Sequence, residues 1–256
     1  MRVEPGMDTI GRSRNGFLRE LRTEDYEAIR PHLKTSEFSA GLSLIKLGQP
    51  VTHVYFPLTV VFSLVVDLEA GQMIEAAMVG HDSVLGAFSA LGKPIALAHA
   101  MVLLPGSASV IEVCRLRDIA AQSLGLRDAL IHHGQALFVQ AQQSAGCNAS
   151  HSVEARLARW LLRIRDLCGS DIFNLTQEMT AHMIGARRNS VSFIANLFQR
   201  NNLIRYSRGQ VEILNLPALE NIACECYDAV KAQFERLQLP ARAVIPGAEF
   251  LRPEPP

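Results

Sequence analysis

Hydrophobic and polar positions follow several patterns along the chain, and the first clear one is that of short strands. Between Gly41 and Val113, apolar runs rich in β-branched residues alternate with turns that contain glycine or proline. Closely spaced runs with such turns are typical of an antiparallel β-barrel or jelly roll. The predicted strands cover 42–47, 53–56, 60–68, 73–79, 100–104 and 108–113.

Helical periodicity lies on both sides of this region. Residues 18–33 are predicted to form one helix, with Leu21 and Ile29 on its apolar stripe. A further helix is predicted over 153–167 and ends at Gly169. Its inward face is predicted to carry Leu157, Trp160, Leu161 and Ile164, and its outward face Arg156, Arg159 and Arg163.

Residues 126–149 are predicted to form a long helix without proline. Apolar and small residues recur along it at steps of three and four, which places them on one seam. The seam consists of Leu130, Gly134, Leu137, Ala141 and Ser144. We interpret it as a dimer interface, because small residues let a second helix approach closely; packing against the β-barrel is the alternative. A neighbouring stripe of Ile131, Phe138 and Ala145 would then serve the barrel.

Two helices joined by a tight turn are predicted near the C-terminal end. Thr176 can cap a helix that runs to Met183, and Gly185 can supply a turn with positive φ. The second helix covers 187–199, and its apolar face is formed by Val191, Ile194, Ala195 and Phe198. Its other face is polar, as in a recognition helix that enters the major groove. Thr180 stands where an apolar residue is expected.

A hairpin is predicted directly after these helices. The alternating runs 203–206 and 210–213 flank Ser207-Arg208-Gly209. The whole segment is therefore interpreted as a winged helix-turn-helix. The predicted DNA-binding residues are Thr176, Gln177, Arg187, Arg188, Asn189, Ser192, Asn196, Arg205 and Arg208.

The distribution of charge along the chain, rather than the net charge, supports this interpretation. The chain has 256 residues and a formal net charge of zero, with 48% hydrophobic and 20% charged residues. Between Glu178 and Glu212 there is no acidic residue, although five arginines fall there. The segment is predicted to form an anion-binding face; a solvated basic surface is the alternative.

Several other classes of function are disfavoured by the sequence. No nucleophile elbow, P-loop or metal-spaced His/Cys set is found, so no enzymatic activity, cofactor or metal is predicted. The five scattered cysteines favour a reducing cytoplasm, and Cys224 and Cys226 are assigned to ordinary helix positions. Residues 1–15 lack an apolar targeting core, and no run approaches the ~20 apolar residues of a membrane span.

The arrangement over about 17–227 resembles the CRP/FNR family of transcription regulators. The most specific stretch is 175–191, LTQEMTAHMIGARRNSV, in which Gly185, Arg188 and Val191 stand on family-like positions. The resemblance implies an α+β protein: an N-terminal antiparallel β-roll, a long dimerisation helix and a C-terminal winged helix-turn-helix. It also implies a homodimer that binds palindromic double-stranded DNA and contacts RNA polymerase. Asn189 and Phe193 differ from the usual glutamate and arginine.

The cyclic-nucleotide pocket of that family is predicted to be degenerate. The Gly-Glu-Leu segment is replaced by 83–86, SVLG, and the Arg-Ser pair falls near Ala98 and His99. Because a buried cyclic phosphate needs a cation and donors, no cyclic-AMP binding is expected. His99 is interpreted as structural. The N-terminal cysteines of the iron–sulfur members are also absent, since the first cysteine is Cys114.

Four segments are therefore predicted. They are a sensor-like β-roll over 17–125, a dimerisation helix over 126–149, a DNA-binding domain over 150–227, and a helix and tail over 228–256. The principal interpretation is a homodimeric DNA-binding regulator that is not gated by cyclic AMP. Gating by another small effector in the β-roll, and a winged helix that binds protein, stay open as alternatives.

Overall fold

The computed structural model describes residues 13–69 and 71–238; the predicted proline-rich tail and most of the polar N-terminus lie outside these ranges. The chain enters through two short helices, α1 (Gly16–Glu20) and α2 (Thr23–Ile29), followed by a 3-10 turn at Arg30–His32. The prediction of one helix over 18–33 is therefore wrong. Leu21 and Arg22 are extended, and Arg22 instead donates a hydrogen bond to Asp25 Oδ2 at 3.0 Å.

Seven strands then form a β-roll of two antiparallel sheets. They are β1 (Lys34–Phe38), β2 (Ser43–Ile45), β3 (His53–Pro57), β4 (Val61–Asp67), β5 (Met73–Val79), β6 (His99–Leu104) and β7 (Gly106–Glu112). One sheet has the order β1-β7-β3 and the other β2-β6-β4-β5, with helix α3 (Ala87–Leu91) between β5 and β6. The six predicted strands are all present. Strand β1 was not predicted, because this edge strand is mostly exposed and its sequence does not alternate.

Helices α4 (Val113–Gln122), α5 (Leu124–Ser150) and α6 (Val153–Cys168) follow the β-roll. Side chains cap the last two, since Ser123 accepts from Leu126 N and Ser152 from Ala155 N. Gly169, at φ +64°, ends α6 as predicted. The remaining elements are β8 (Ile172–Asn174), α7 (Gln177–Met183), α8 (Arg188–Arg200), β9 (Ile204–Ser207), β10 (Gln210–Ile213), α9 (Leu216–Ile222) and α10 (Cys226–Gln238).

The faces of α5 are reversed relative to the prediction. Of the five predicted seam residues, Leu130, Gly134 and Ser144 are buried within the chain, and Leu137 and Ala141 are half-buried. Leu130 packs in the β-roll core, while α10 covers the face around Ala136. The prediction that Leu130, Gly134 and Ser144 form a surface seam is therefore wrong, and packing within the chain, the alternative, accounts for them.

The neighbouring stripe of α5 is the exposed one. The exposed fraction is 40% for Ile131 and 63% for Phe138, and Ala145 is also exposed. Phe88 of α3 lies against Gly134, where a Cβ atom would be 1.9 Å from the Phe88 ring, and it is itself 52% exposed. Phe88, Ile131, Phe138 and Ala145 are called the α5 apolar face below.

The β-roll and the C-terminal elements share one continuous core. Val61, Met78 and Leu103 of the β-roll pack with Trp160 and Leu161 of α6. This contact explains why α6 is not solvated on its arginine side as predicted. Arg156 and Arg163 are buried, and Arg159 is half-buried.

Polar groups bridge the same contact. Trp160 Nε1 donates to Glu75 Oε1 at 2.9 Å, and Ser63 Oγ donates to Glu75 Oε2 at 2.6 Å. Arg163 pairs with Asp82 at 2.7 Å, with 9% and 13% of the two side chains exposed. The α6 helix is thus held to β4 and β5 by both apolar and charged contacts. None of the helices in residues 13–69 and 71–238 has the length and apolarity to cross a membrane.

Candidate nucleic-acid interface

Helix α7 is fixed at its start by two threonines. Thr176 Oγ1 accepts a hydrogen bond from Met179 N at 3.1 Å, as the capping prediction requires. Thr180 is buried and its Oγ1 donates to Thr176 O at 2.9 Å. The buried hydroxyl is therefore satisfied by its own helix, which explains how threonine occupies a position where an apolar residue was expected.

A tight turn leads from α7 to α8. Gly185 has φ +60°, and Ala186 N donates to Ala181 O at 2.9 Å. Ala181 is buried, and its small side chain lets the two helices approach each other. Arg187 is the N-cap of α8, so Arg188 is the first helical residue.

Helix α8 is amphipathic in the predicted way. Val191, Ile194, Ala195 and Phe198 are buried in the domain core. Arg188, Asn189 and Asn196 are exposed on the opposite side, and Ser192 is half-buried. Ser192 Oγ donates to Gln177 Oε1 at 2.6 Å, which ties the outer face of α8 to the first turn of α7.

The wing is an antiparallel hairpin, as predicted. Residue Gln210 pairs with Ser207, and Arg208 and Gly209 form the turn with φ +50° and +79°. Gln199 Oε1 of α8 accepts from Tyr206 N at 3.0 Å, so the wing is attached to α8. Strand β8 adds a third strand that was not predicted, because its three residues are too few to show a period.

The structure brings the predicted DNA-binding residues to the surface of one domain. Thr176, Arg187, Arg188, Asn189, Asn196, Arg205 and Arg208 are exposed, and Gln177 and Ser192 are half-buried. They are not equally free: Arg205 pairs with Glu212 on the neighbouring strand, whereas no ion pair is found for Arg187, Arg188 or Arg208 within the described part of the chain.

Phe193 was not among the predicted DNA-binding residues of this face. Its side chain is 64% exposed between the polar residues of α8. An aromatic residue on the outer side of an amphipathic helix was the available signal. In a major groove such a side chain can contact the thymine methyl group.

A cleft of about 380 Å³ separates the turn between α7 and α8 from the start of β5. Its lining includes Ile74, His182, Arg187 and Arg188. Ile74 Cδ1 would lie 3.5 Å from a Cβ atom at Gly185. The N-terminal end of α8 therefore lies next to the β4–β5 hairpin.

Segment 83–86, which the resemblance aligns with the cyclic-nucleotide site, lies largely in the interior of the β-roll. Val84 and Leu85 are buried. His133 Nε2 lies 3.2 Å from Val84 N and 3.0 Å from Val84 O, and burial lowers the pKa of His133 to about 4, so the imidazole is neutral at pH 7. His99 is bonded to Ser43 Oγ and Asp67 Oδ2, both at 2.9 Å.

Four side chains with metal-ligating groups come together at the end of α5 and the start of α10. Cys147, His151, Cys224 and Cys226 place their ligand atoms within 4.8 Å of one another. The assignment of both Cys224 and Cys226 to ordinary helix positions is wrong for Cys224. Cys224 lies between α9 and α10, and Cys226 is the first residue of α10.

The family model of the Crp-like helix-turn-helix domain matches residues 155–222. Comparison with curated proteins gave no match.

Among solved structures, FixK2 from Bradyrhizobium japonicum is 16% identical, with a TM-score of 0.64 over 75% of this chain and 98% of that one. A CRP-family transcriptional regulator from Thermus thermophilus is 20% identical, with a TM-score of 0.62 over 73% and 96%. At these identities the likeness establishes the fold.

Proposed function

We propose that this chain, a CRP-type transcription regulator by its Crp-like helix-turn-helix domain and its fold, acts as a homodimer that reads a two-fold-symmetric DNA site with α8. The observation that carries the proposal is the exposed polar face of α8 within an acid-free segment rich in arginine. Because a helix presented in this way fits the major groove, we assign base recognition to α8.

Arg188 is the proposed principal base reader. It lies in the first turn of α8, where side chains of a recognition helix reach base edges, and it is exposed without an ion pair among the described residues. Its guanidinium can make two hydrogen bonds to guanine O6 and N7. Asn189 and Asn196 can bind adenine, and Phe193 can contact a thymine methyl group.

The remaining predicted residues are assigned to the phosphates. Thr176 and Gln177 lie at the start of α7, and Arg208 lies at the tip of the wing. Cations and polar donors at these positions would fix the register of α8 on the duplex. Arg205 contributes less, since Glu212 already neutralises its charge.

The α5 apolar face is the proposed dimer interface. Phe88, Ile131 and Phe138 expose apolar surface on one side of the longest helix, and Gly134 lets Phe88 lie close to it. A two-fold dimer buries the same patch on both copies and sets two α8 helices apart for paired half-sites. This assignment replaces the predicted seam.

Regulation is proposed to be independent of cyclic AMP. Buried Val84 and Leu85 and the neutral His133 supply no cation for a cyclic phosphate. Binding of a different effector, and contact with RNA polymerase, stay predictions. If the winged helix binds protein instead of DNA, no DNA site will be recovered at any salt concentration.

Arg188→Ala is expected to weaken binding to the selected site by about 1–3 kcal/mol and to relax the preference at one base position of each half-site. The site would be selected from a random DNA library with the wild-type chain, and both proteins would then be titrated on that site and its single-base variants. Arg208→Ala is the matched control, because loss of a phosphate contact should weaken all sites alike. An unchanged base preference in Arg188→Ala would exclude Arg188 as the base reader.

Phe138→Glu is expected to convert the dimer to a monomer, because it places a carboxylate in the centre of an apolar interface on both copies. Sedimentation equilibrium would measure the oligomeric state, and titration on DNA with one or two half-sites would measure the loss of paired binding. Leu47→Glu, at a side chain that is 65% exposed outside α5, is the control. A Phe138→Glu chain that stays dimeric contradicts the assignment.

A further inference from the structure

The end of α5 and the junction of α9 with α10 bring four metal-ligating side chains together. Cys147 and His151 are four residues apart in the last turn of α5 and at its C-cap, so they lie on one side of the helix. Cys224 and Cys226 approach from the other segment. Cys224 lies 77 residues after Cys147, and Cys226 lies 75 residues after His151. Three of the four residues are buried, and 24% of the His151 side chain is exposed.

We propose that Cys147, His151, Cys224 and Cys226 form a structural zinc site. This inference concerns a different part of the molecule from the DNA-binding face and does not depend on the proposed base recognition. Three thiolates and one imidazole are a ligand set that tetrahedral Zn²⁺ prefers in structural sites. On binding, the three thiols release their protons to solvent.

The distances between the ligand atoms fit a single ion. Cys147 Sγ and Cys224 Sγ are 3.5 Å apart, and Cys226 Sγ is 3.5 Å from His151 Nδ1. Zn–S bonds of ~2.3 Å and Zn–N bonds of ~2.0 Å at tetrahedral angles require about 3.8 Å between sulfurs and about 3.5 Å between sulfur and nitrogen. Since all four atoms lie within 4.8 Å of one another, they enclose one ion rather than an iron–sulfur cluster, whose several atoms would separate them further.

Neighbouring polar groups are placed as supports for these ligands. His151 Nε2 lies 3.1 Å from Glu225 Oε1, which orients the ring and leaves Nδ1 toward the sulfurs. Metal-bound histidines commonly donate their other ring N–H to a carboxylate in this way. Gln143 Nε2 donates to Cys226 Sγ at 2.9 Å, a contact that favours the thiolate.

The charge of the site is also compensated. Three thiolates and Zn²⁺ carry a net charge of −1. Arg159 of α6 is near enough for its charge to act on Cys147, and its buried Nε has no hydrogen-bond partner within residues 13–69 and 71–238. A cation with unused hydrogen-bonding capacity therefore lies beside an anionic metal complex.

The position of the site gives it a structural consequence. All four positions belong to the protein, and no side is left open for substrate, as is typical of structural rather than catalytic zinc. The ion would tie the C-terminal end of α5 to the segment that follows the winged helix. It would thereby fix the direction of the α5 apolar face relative to α8.

Metal analysis of the full-length chain tests the proposal directly. The chain, purified under reducing conditions without a metal-affinity tag, is expected to carry about one zinc per chain by mass spectrometry of the elements. Cys147→Ser, Cys224→Ser and Cys226→Ser are expected to lose most of it. Cys114→Ser and Cys168→Ser are the matched controls, because these two cysteines lie outside the cluster, and they should keep it.

A second measurement keeps the test decisive if a ligand variant fails to fold. Wild-type protein stripped by a chelator would be titrated with Co²⁺, and the expected result is the absorption of tetrahedral cobalt with thiolate charge-transfer bands, displaced by one equivalent of Zn²⁺. A tetrahedral thiolate spectrum supports the site even if the protein is purified without metal. Its absence, or equal metal loss in Cys114→Ser and Cys168→Ser, overturns the proposal.

Discussion

Asp82→Ala is expected to lower the free energy of unfolding by about 3–5 kcal/mol, because it leaves Arg163 buried without its partner. The pair joins the β-roll to α6 at 2.7 Å, and only 9% of the Arg163 side chain is exposed. The guanidinium also lies over the Phe234 ring, 5.1 Å from its centroid, so it cannot turn toward water without leaving α10. Urea unfolding of the wild type and the variant measures the difference.

Asp171→Ala is the matched control for this prediction. Asp171 pairs with another arginine of α6, Arg165, but 55% of the Asp171 side chain is exposed. A solvated pair of this kind contributes at most about 1 kcal/mol. Adding Arg163→Met to Asp82→Ala should restore part of the stability, since it removes the unpaired charge. Equal effects of Asp82→Ala and Asp171→Ala would show that burial does not make this pair important.

The second large effect is a dependence of stability on pH that comes from Glu75. Burial raises the pKa of Glu75 to about 7, although hydrogen bonds from Ser63 and Trp160 act in the opposite direction. In the unfolded chain the group ionises near its ordinary value of 4.5. The folded chain therefore binds more protons between these values, and stability falls as the pH rises through this window. This difference between the two pKa values corresponds to about 3 kcal/mol of the free energy of unfolding.

Glu75→Gln isolates this contribution from that of other groups. An amide can replace the protonated carboxyl: its oxygen accepts from Trp160 Nε1 and its NH2 donates to Ser63 Oγ. The variant is expected to be more stable than the wild type at pH 8 by up to about 3 kcal/mol and nearly equal to it at pH 4.5. Urea unfolding of both proteins at the two pH values measures the difference in the free energy of unfolding.

The wild type must be compared with Glu75→Gln because the titration of His133 changes the free energy of unfolding with pH in the opposite direction. Its pKa is lowered from 6.5 to about 4, so its contribution is present above pH 6.5 and is lost as the pH falls through 4. Glu37→Gln, at an exposed position of β1, is the control. If the difference between wild type and Glu75→Gln is the same at both pH values, Glu75 is not the titrating group.

Both predictions concern the contact between the β-roll and α6, which the sequence pattern did not predict. Arg156 and Arg163 were predicted to lie outward, since arginines on one side of an amphipathic helix usually meet solvent. In the structure Asp82 and the Phe234 ring of α10 cover Arg163, and Arg156 donates to Asn148 Oδ1 and to Ile184 O, both at 3.0 Å. Local periodicity does not reveal the Arg163 contact, because Asp82 lies 81 residues away along the chain.

The two helices and the wing illustrate what local sequence determines. Thr176, Gly185 and the Arg208-Gly209 turn act through their own backbone and their immediate neighbours. Together with the local apolar pattern, they therefore predicted α7, α8 and the hairpin. The six β-roll strands were also accessible, because alternation and turn residues act over short distances, whereas the α+β fold class came from the resemblance to the CRP/FNR family.

The sequence by itself therefore determined six of the β-roll strands, the two helices and hairpin of the winged helix-turn-helix, and the face that α8 turns outward. Only the tertiary structure decided which side of α5 is buried: two apolar stripes compete for the β-roll, and the choice of Leu130 over Ile131 depends on packing from all sides. It also decided that Cys147 and His151 meet Cys224 and Cys226. Spacing along a chain cannot predict such a meeting, because it depends on how distant segments pack together.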